Sequence, residues 1–255
     1  MKSTSFALFA AALLLLAGTH FTRGEDLKPA ANEEGFKPMF NGKDLTGWDG
    51  SPANWYVKDG MIVGETTAET ALKNANSFLI AKDGDKDLIV GDFEFRVSFR
   101  FDKDHGFGNS GIQYRSHRLP DNGPNKWRVG GYQADCEAAK TYPGILYEEG
   151  GRGILVKRGE KLHIAPDGKK ESGETEPKAE AEKAVKDKGE WNDYIVIAKG
   201  NHLVQILNGH VTVDLIDEET GKAAANGILA LQLHAGAPMK IEFKDPRIKL
   251  EAEKK

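Results

Sequence analysis

DFEFRVSFRF, residues 92 to 101, decides the fold. Phe93, Phe95, Val97, Phe99 and Phe101 alternate with Asp92, Glu94, Arg96, Ser98 and Arg100. Side chains of a β-strand point to opposite faces in turn, so this segment is a strand with one face in a core and the other in water. Turn pairs separate similar segments on either side of it. Asp59-Gly60 and Asn208-Gly209 tolerate positive φ at both central residues and predict tight hairpins, and Arg158-Gly159 is a weaker signal of the same kind. Short strands joined by such turns predict an all-β sandwich or barrel. No repeat of fixed period occurs, which disfavours solenoids and propellers.

The first residues, MKSTSFALFAAALLLLAGTHFTRGE, put a Lys near the start, an apolar run from Phe6 to Ala17, and small or polar residues after it. That pattern predicts a secretory signal ending near Gly24 and an exported protein, periplasmic or extracellular. Residues 25 to 255 then form one domain, since sandwiches of about 200 to 250 residues are ordinary. The single cysteine, Cys136, excludes an internal disulfide framework. A formal net charge of −4 without a basic tract leaves no electrostatic footprint for nucleic acid. No second apolar run reaches membrane length. Residues 165 to 190 are dense in Lys and Glu and read as a charged surface insertion with a short helix from Pro177 to Lys188.

Three strands carry a polar row. In HGFGNSGIQYRSHR, residues 105 to 118, period 2 sets Gly111, Gln113, Arg115 and His117 against Ile112, Tyr114 and Ser116. In GGYQADCEA, residues 130 to 138, Gln133, Asp135 and Glu137 oppose Tyr132, Ala134 and Cys136, which makes the cysteine a small core residue. In GILALQLHAG, residues 227 to 236, Ala230, Gln232 and His234 oppose Leu229, Leu231 and Leu233. Facing bulk water, such rows carry no chemistry. Facing a concave cleft, they hold a polar ligand, and glycines 106, 108 and 111 favour the cleft because they permit close approach. Trp127, in the polar loop NGPNKWRVGG, is a candidate platform for a sugar ring. Glu148, Glu149 and Arg152, in the glycine-rich YEEGGRG, are candidates to close one end of the cleft.

Five segments together resemble a known family. FNGKDLTGW (40 to 48), GNSGIQYR (108 to 115), GGYQADCEAAKTYPGILYEEGGRGIL (130 to 155), EWNDYIVIAKGNHLVQILNG (190 to 209) and GILALQLHAGAPMKIEFKDPRIKL (227 to 250) are similar to the 3-keto-disaccharide hydrolase domain family. That family is also described as 3-keto-glucoside 1,2-lyase and 3-keto-2-hydroxy-glucal hydratase. The resemblance implies a concanavalin A-like jelly roll of two curved antiparallel sheets, with an oxidised disaccharide or glycoside bound on the concave one. Where members of that family often read GYEVQ, this chain reads GYQAD, so the acid stands at Asp135 and an amide at Gln133.

The chemistry implied is elimination. A ketone at C3 of a sugar acidifies the hydrogen on C2, so a base can remove it and the oxygen at C1 can leave, after which water adds back. The route needs a base, a donor beside the enolate oxygen and an acid for the leaving group. Under the resemblance, Asp135 and His234 are candidates for acid and base and Arg115 for the enolate oxygen. Gln113, Gln133, Gln232, Trp127, Glu148 and Arg152 would contact the sugar. The sequence requires no cofactor, though Asp135, Glu137, His234 and the loop carboxylates could offer hard ligands to a divalent metal. The rival expectation is a non-catalytic carbohydrate-binding or adhesion module on the same fold, because fold and cleft do not by themselves give catalysis.

Overall fold

The computed structural model describes residues 33–121, 125–175 and 178–251, so the expected signal segment lies outside the described residues. In chain order the strands begin with β1 (Lys37–Pro38), β2 (Trp48–Asp49), β3 (Trp55–Lys58), β4 (Met61–Thr66), β5 (Ser77–Asp83), β6 (Lys86–Asp87) and β7 (Ile89–Val90). There follow β8 (Phe93–Phe101), β9 (Asn109–Arg118), β10 (Val129–Glu137), β11 (Leu146–Glu149), β12 (Gly153–Val156), β13 (Glu160–Ile164) and β14 (Lys170–Glu174). After the helix α1 (Lys178–Lys183) come β15 (Asn192–Lys199), β16 (His202–Leu207), β17 (His210–Asp217), β18 (Gly227–Leu233) and β19 (Met239–Leu250).

The strands form two sheets packed as a jelly-roll sandwich. One sheet has ten strands in the order β14-β13-β17-β16-β15-β8-β19-β4-β3, with β1 added to β19. The other has nine in the order β12-β11-β10-β9-β18-β5-β2, with β6 and β7 added to β5 and β18. Strand pairs are antiparallel except β13 with β17. The alternation that predicted β8 holds, with Phe93, Phe95, Val97, Phe99 and Phe101 all buried between the sheets. Its other face is laced with side-chain contacts: Arg100 Nε donates to Glu242 at 2.5 Å and Ser98 Oγ donates to Asp193 at 2.6 Å.

Two of the three predicted turns close hairpins. Asp59-Gly60 joins β3 to β4 with φ of 51° and 74°, and Asn208-Gly209 joins β16 to β17 with φ of 50° and 83°. Arg158-Gly159 does not make a hairpin. It carries the chain from β12 in the nine-stranded sheet to β13 in the ten-stranded one, and only Gly159 has positive φ there. The physical reason is the missing Asn or Asp at the first turn position. The charged segment 165 to 190 is anchored rather than wholly solvated, because β14 pairs with β13 and Ala181, Ala184 and Val185 around α1 are buried.

Inside the sandwich the tyrosines of the nine-stranded sheet meet polar partners from the other sheet. Tyr114 and Tyr132 stack at 5.7 Å, Gln205 Nε2 donates to Tyr114 at 3.1 Å, and Tyr132 donates to Asp217 at 2.5 Å. Buried hydroxyls need such partners. Cys136 is fully buried and unpaired, consistent with a core role. These contacts fix β9 and β10 from below and leave their opposite face for the site.

Candidate functional site

A cleft of about 290 Å³ lies on the face of the nine-stranded sheet turned away from the core, lined from β10 by Gln133 and Asp135 and from the end of β18 by Gln232 and His234. Those four residues are where the alternation put them. One glycine shapes the cleft floor. Gly111 on β9 pairs with Asp135, and a Cβ at this position would stand 2.5 Å from Cγ and Cδ of Gln133. The missing side chain lets the Gln133 amide lie across the sheet. Gly108 is used differently, with a Cβ there meeting the Phe101 ring at 2.7 Å, and a Cβ at Gly106 would have no neighbour within 4 Å.

The floor is a chain of amides that ends on carboxylates. Ser116 Oγ donates to Gln113 Oε1 at 2.7 Å, Gln113 Nε2 to Gln133 Oε1 at 2.7 Å, and Gln133 Nε2 to Asp135 Oδ1 at 2.5 Å. Gln232 Nε2 donates to Gln133 Oε1 at 2.8 Å and to Glu149 Oε2 at 3.3 Å. Gln113 is fully buried under this layer and supports the lining rather than forming it. Oε1 of Gln232 is buried with no hydrogen-bond partner among the described residues, so one acceptor at the floor stays available.

Electrostatics divide the ionisable groups. Burial is the main force on Asp135, pushing its carboxyl up to about 8; the charges of Glu137 and Glu149 add to this, and the Gln133 amide opposes it. Burial therefore favours the protonated, neutral form of Asp135. Burial also raises Glu149, opposed by the donated bond from Asn76 and by His234 and Arg128. His234 shares 2.5 Å between Nδ1 and the Ala235 carbonyl oxygen. A carbonyl only accepts, so Nδ1 donates this bond, and Nε2 makes no hydrogen bond among the described residues. Phe107 packs edge-on against the His234 ring at 5.8 Å.

Arg115 is not in the cleft. It has φ of 46° and sits where β9 carries one residue more than both neighbours, the pairing shifting between Gly130 and Tyr132 on β10 and between Ile228 and Ala230 on β18. Such a bulge breaks the period of 2. Ser116 consequently takes the cleft-side position, facing Ile228 and bonding Gln113. The Arg115 guanidinium donates instead to Gly91 O at 2.9 Å, Gly200 O at 2.5 Å, Ala224 O at 3.3 Å and Asp92 at 2.9 Å, tying together loops at the sandwich edge.

Trp127 and the pair Glu148 and Arg152 also lie outside the cleft. Trp127 lies over Phe78, Ile80, Val129, Ile228 and Ala230, with Nε1 donating to Asp49 at 2.8 Å, so it covers an apolar patch beside the cleft rather than lining it. Glu148 and Arg152 bond each other at 2.7 Å, and Arg152 also reaches Asp217 at 2.7 Å and Glu219 at 2.8 Å; they clasp β11 to the end of β17. Among the proposed hard ligands, Glu137 accepts the Thr141 and Tyr142 amides at 2.9 Å each. Among the described residues no three His, Cys, Asp or Glu side chains form a metal-binding group.

The sequence reading missed Asn76, Asn109 and Tyr147, which line the cleft together with Glu149, a residue that it grouped with the glycine-rich loop. Glu149 and Tyr147 had a signal, since they alternate with Leu146 and Glu148 along β11, and Tyr147 pairs with Gln133. Asn109 begins the row of Gly111 and Gln113. Asn76 had none. It lies in the loop before β5, donates to Glu149 Oε2 at 3.1 Å and accepts from the Ala235 amide at 2.9 Å, so it joins three segments distant in sequence.

The model of the 3-keto-alpha-glucoside-1,2-lyase-like domain family matches residues 35–249. No curated protein is found to match the chain. A solved candidate glycosyl hydrolase from Parabacteroides distasonis ATCC 8503 is similar at 20% identity over 86% of this chain and 95% of its own, with a TM-score of 0.52. A Bacillus subtilis protein of unknown function with a galectin-like fold is similar at 11% identity over 84% of this chain and 94% of its own, with a TM-score of 0.53. At these identities the two structures bear on the fold alone.

Proposed function

This chain belongs to the 3-keto-alpha-glucoside-1,2-lyase-like family, and from that premise we propose that it cleaves 3-keto-glycosides by elimination across C1 and C2 followed by hydration. The observation that carries the reading is a buried carboxyl, Asp135, in the same cleft as the His234 imidazole, whose Nδ1 is held by a backbone carbonyl. Elimination needs both at once. The base takes the proton from C2, the electron pair passes through the enolate to form the C1–C2 double bond, and the leaving oxygen departs with the proton of the acid. Water then adds across that bond, its hydroxyl to C1 and a proton to C2.

Asp135 is the acid, because burial holds its proton at the pH where a leaving alkoxide needs one. His234 is the base through Nε2, with Nδ1 fixed by the Ala235 carbonyl. The enolate oxygen falls to neutral donors: Asn109 and Tyr147 line the cleft and their side chains have no hydrogen-bond partner among the described residues. The unpartnered Oε1 of Gln232 would accept a sugar hydroxyl. The apolar run at residues 6 to 17 supports an exported enzyme meeting its substrate outside the cytoplasm.

The test is the ketone. Purified protein incubated with a 3-keto-disaccharide and with its unoxidised parent is expected to cleave the first and only bind the second, since without the ketone the C2 hydrogen is beyond the reach of an imidazole. Cleavage of both at similar rates would overturn the reading in favour of an ordinary glycosidase. Binding of both without turnover would leave a sugar-binding module.

A further inference from the structure

A second hollow of about 330 Å³ adjoins the cleft, lined by Lys73, Asn74, Asn76, Phe78, Arg128 and Glu149 among others. Asn76 and Glu149 line both, so the two hollows form one groove with a waist at the Asn76–Glu149 hydrogen bond. The compartments differ in charge. The first holds Asp135 and Glu149 with His234. The second adds two cations, Lys73 and Arg128, and neither makes a contact ion pair among the described residues, although Arg128 lies close enough to Glu149 to act on its charge. Lys73 has no hydrogen bond or ion pair among the described residues, and Arg128 only donates to the Pro120 carbonyl at 2.6 Å. Of the seven other described arginines, Arg96, Arg100, Arg115, Arg118, Arg152 and Arg247 each rest against a carboxylate, and Arg158 donates to the Pro143 and Lys140 carbonyls. Glu149, the one anion lining the second hollow, is already engaged by Asn76 and Gln232.

We propose that this second hollow is the leaving-group subsite and that it selects a leaving sugar bearing a carboxylate, held by Lys73 and Arg128. The assignment of a leaving group rests on the elimination reading; the anion preference rests on the two unpaired cations. Two hollows of similar size on either side of a waist suit two sugar rings joined across it, with Asp135 and His234 serving the ring in the first. Partly exposed charge pairs are individually weak, so the expected preference is modest and falls with salt.

Initial rates on two matched 3-keto-disaccharides, one leaving glucuronic acid and the other leaving glucose, test the preference. The acidic substrate is expected to show a KM about tenfold lower at low salt, the difference shrinking at high salt. In the Lys73→Gln/Arg128→Gln double variant the ratio of the two KM values should fall to about one and lose its salt dependence. Equal KM values in the wild type, or a double variant that weakens both substrates alike, would overturn the proposal and leave the elimination reading intact. Binding of methyl glucuronide and methyl glucoside, followed by NMR, separates the two claims. If neither ketone is turned over yet the glucuronide binds more tightly in a manner that needs Lys73 and Arg128, the elimination reading fails and the anion subsite stands.

Discussion

Asp135→Asn is expected to lower kcat on a 3-keto-disaccharide by at least about a hundredfold, the lower range for loss of a positioned general acid. Asparagine keeps the size of the side chain and an oxygen to accept from Gln133 Nε2, so the amide floor should persist. What it lacks is the proton for the leaving oxygen. The deficit should therefore shrink for glycosides whose leaving group is a good one, such as a nitrophenolate, while His234→Ala slows every substrate alike. The wild-type rate should fall as pH rises through about 8, where Asp135 loses its proton.

Stability adds an independent readout. The folded-state pKa of Asp135 lies above its ordinary value of 3.8, so between pH 4 and about 8 the folded protein holds a proton that the unfolded chain releases. Stability from this group is complete below the lower value and is lost as pH rises through the upper one. The Asn variant should lack that decline, so its stability relative to the wild type should improve with pH over this window. An inactive variant with an unchanged pH dependence of stability would show that Asp135 is not the buried neutral acid described here.

Arg115→Ala is expected to act on the fold and not on the chemistry. The guanidinium is buried and serves three backbone carbonyls as well as Asp92, whose own side chain is partly exposed. Truncation leaves the half-buried carbonyls of Gly91 and Ala224, and the more exposed one of Gly200, without their donor, a loss of about 3 kcal/mol at about 1 kcal/mol for each net hydrogen bond. For a domain of this size that is a fall in melting temperature of about 10 °C. Below that temperature the folded variant should keep its KM and kcat. A hundredfold loss of turnover with unchanged melting would return Arg115 to the active site.

Arg115 also shows where the sequence stops being legible. Alternation along β10 and β18 placed Gln133, Asp135, Gln232 and His234 correctly, because those strands run regularly through the residues concerned. On β9 the same rule holds as far as Gln113 and fails two residues later, since a bulge inserts one residue without any Gly or Pro to announce it. Gly131 and Gly227, on the strands to either side, accommodate it: a Cβ at Gly227 would stand 2.4 Å from the Arg115 carbonyl carbon. That information is on other strands. Glu149 was readable from the alternation of β11 but stood next to a glycine-rich turn and was taken with it. Asn76 was beyond reading, because its role depends on loops before β5 and after β18 meeting across the cleft mouth. The all-β class was plain from Phe93 to Phe101, while the passage between sheets at Gly159 required knowing which strands pair.

The central claim is that the bond at C1 breaks only after the hydrogen at C2 has left. Turnover of a 3-keto-disaccharide in deuterated water, stopped early and corrected for exchange without enzyme, tests it most directly. The 3-keto-glucose released should carry deuterium at C2 in every molecule, because hydration of the C1–C2 double bond takes its proton from solvent. Product that keeps its original hydrogen at C2 would mean direct hydrolysis at C1, and the roles given to Asp135 and His234 would be wrong.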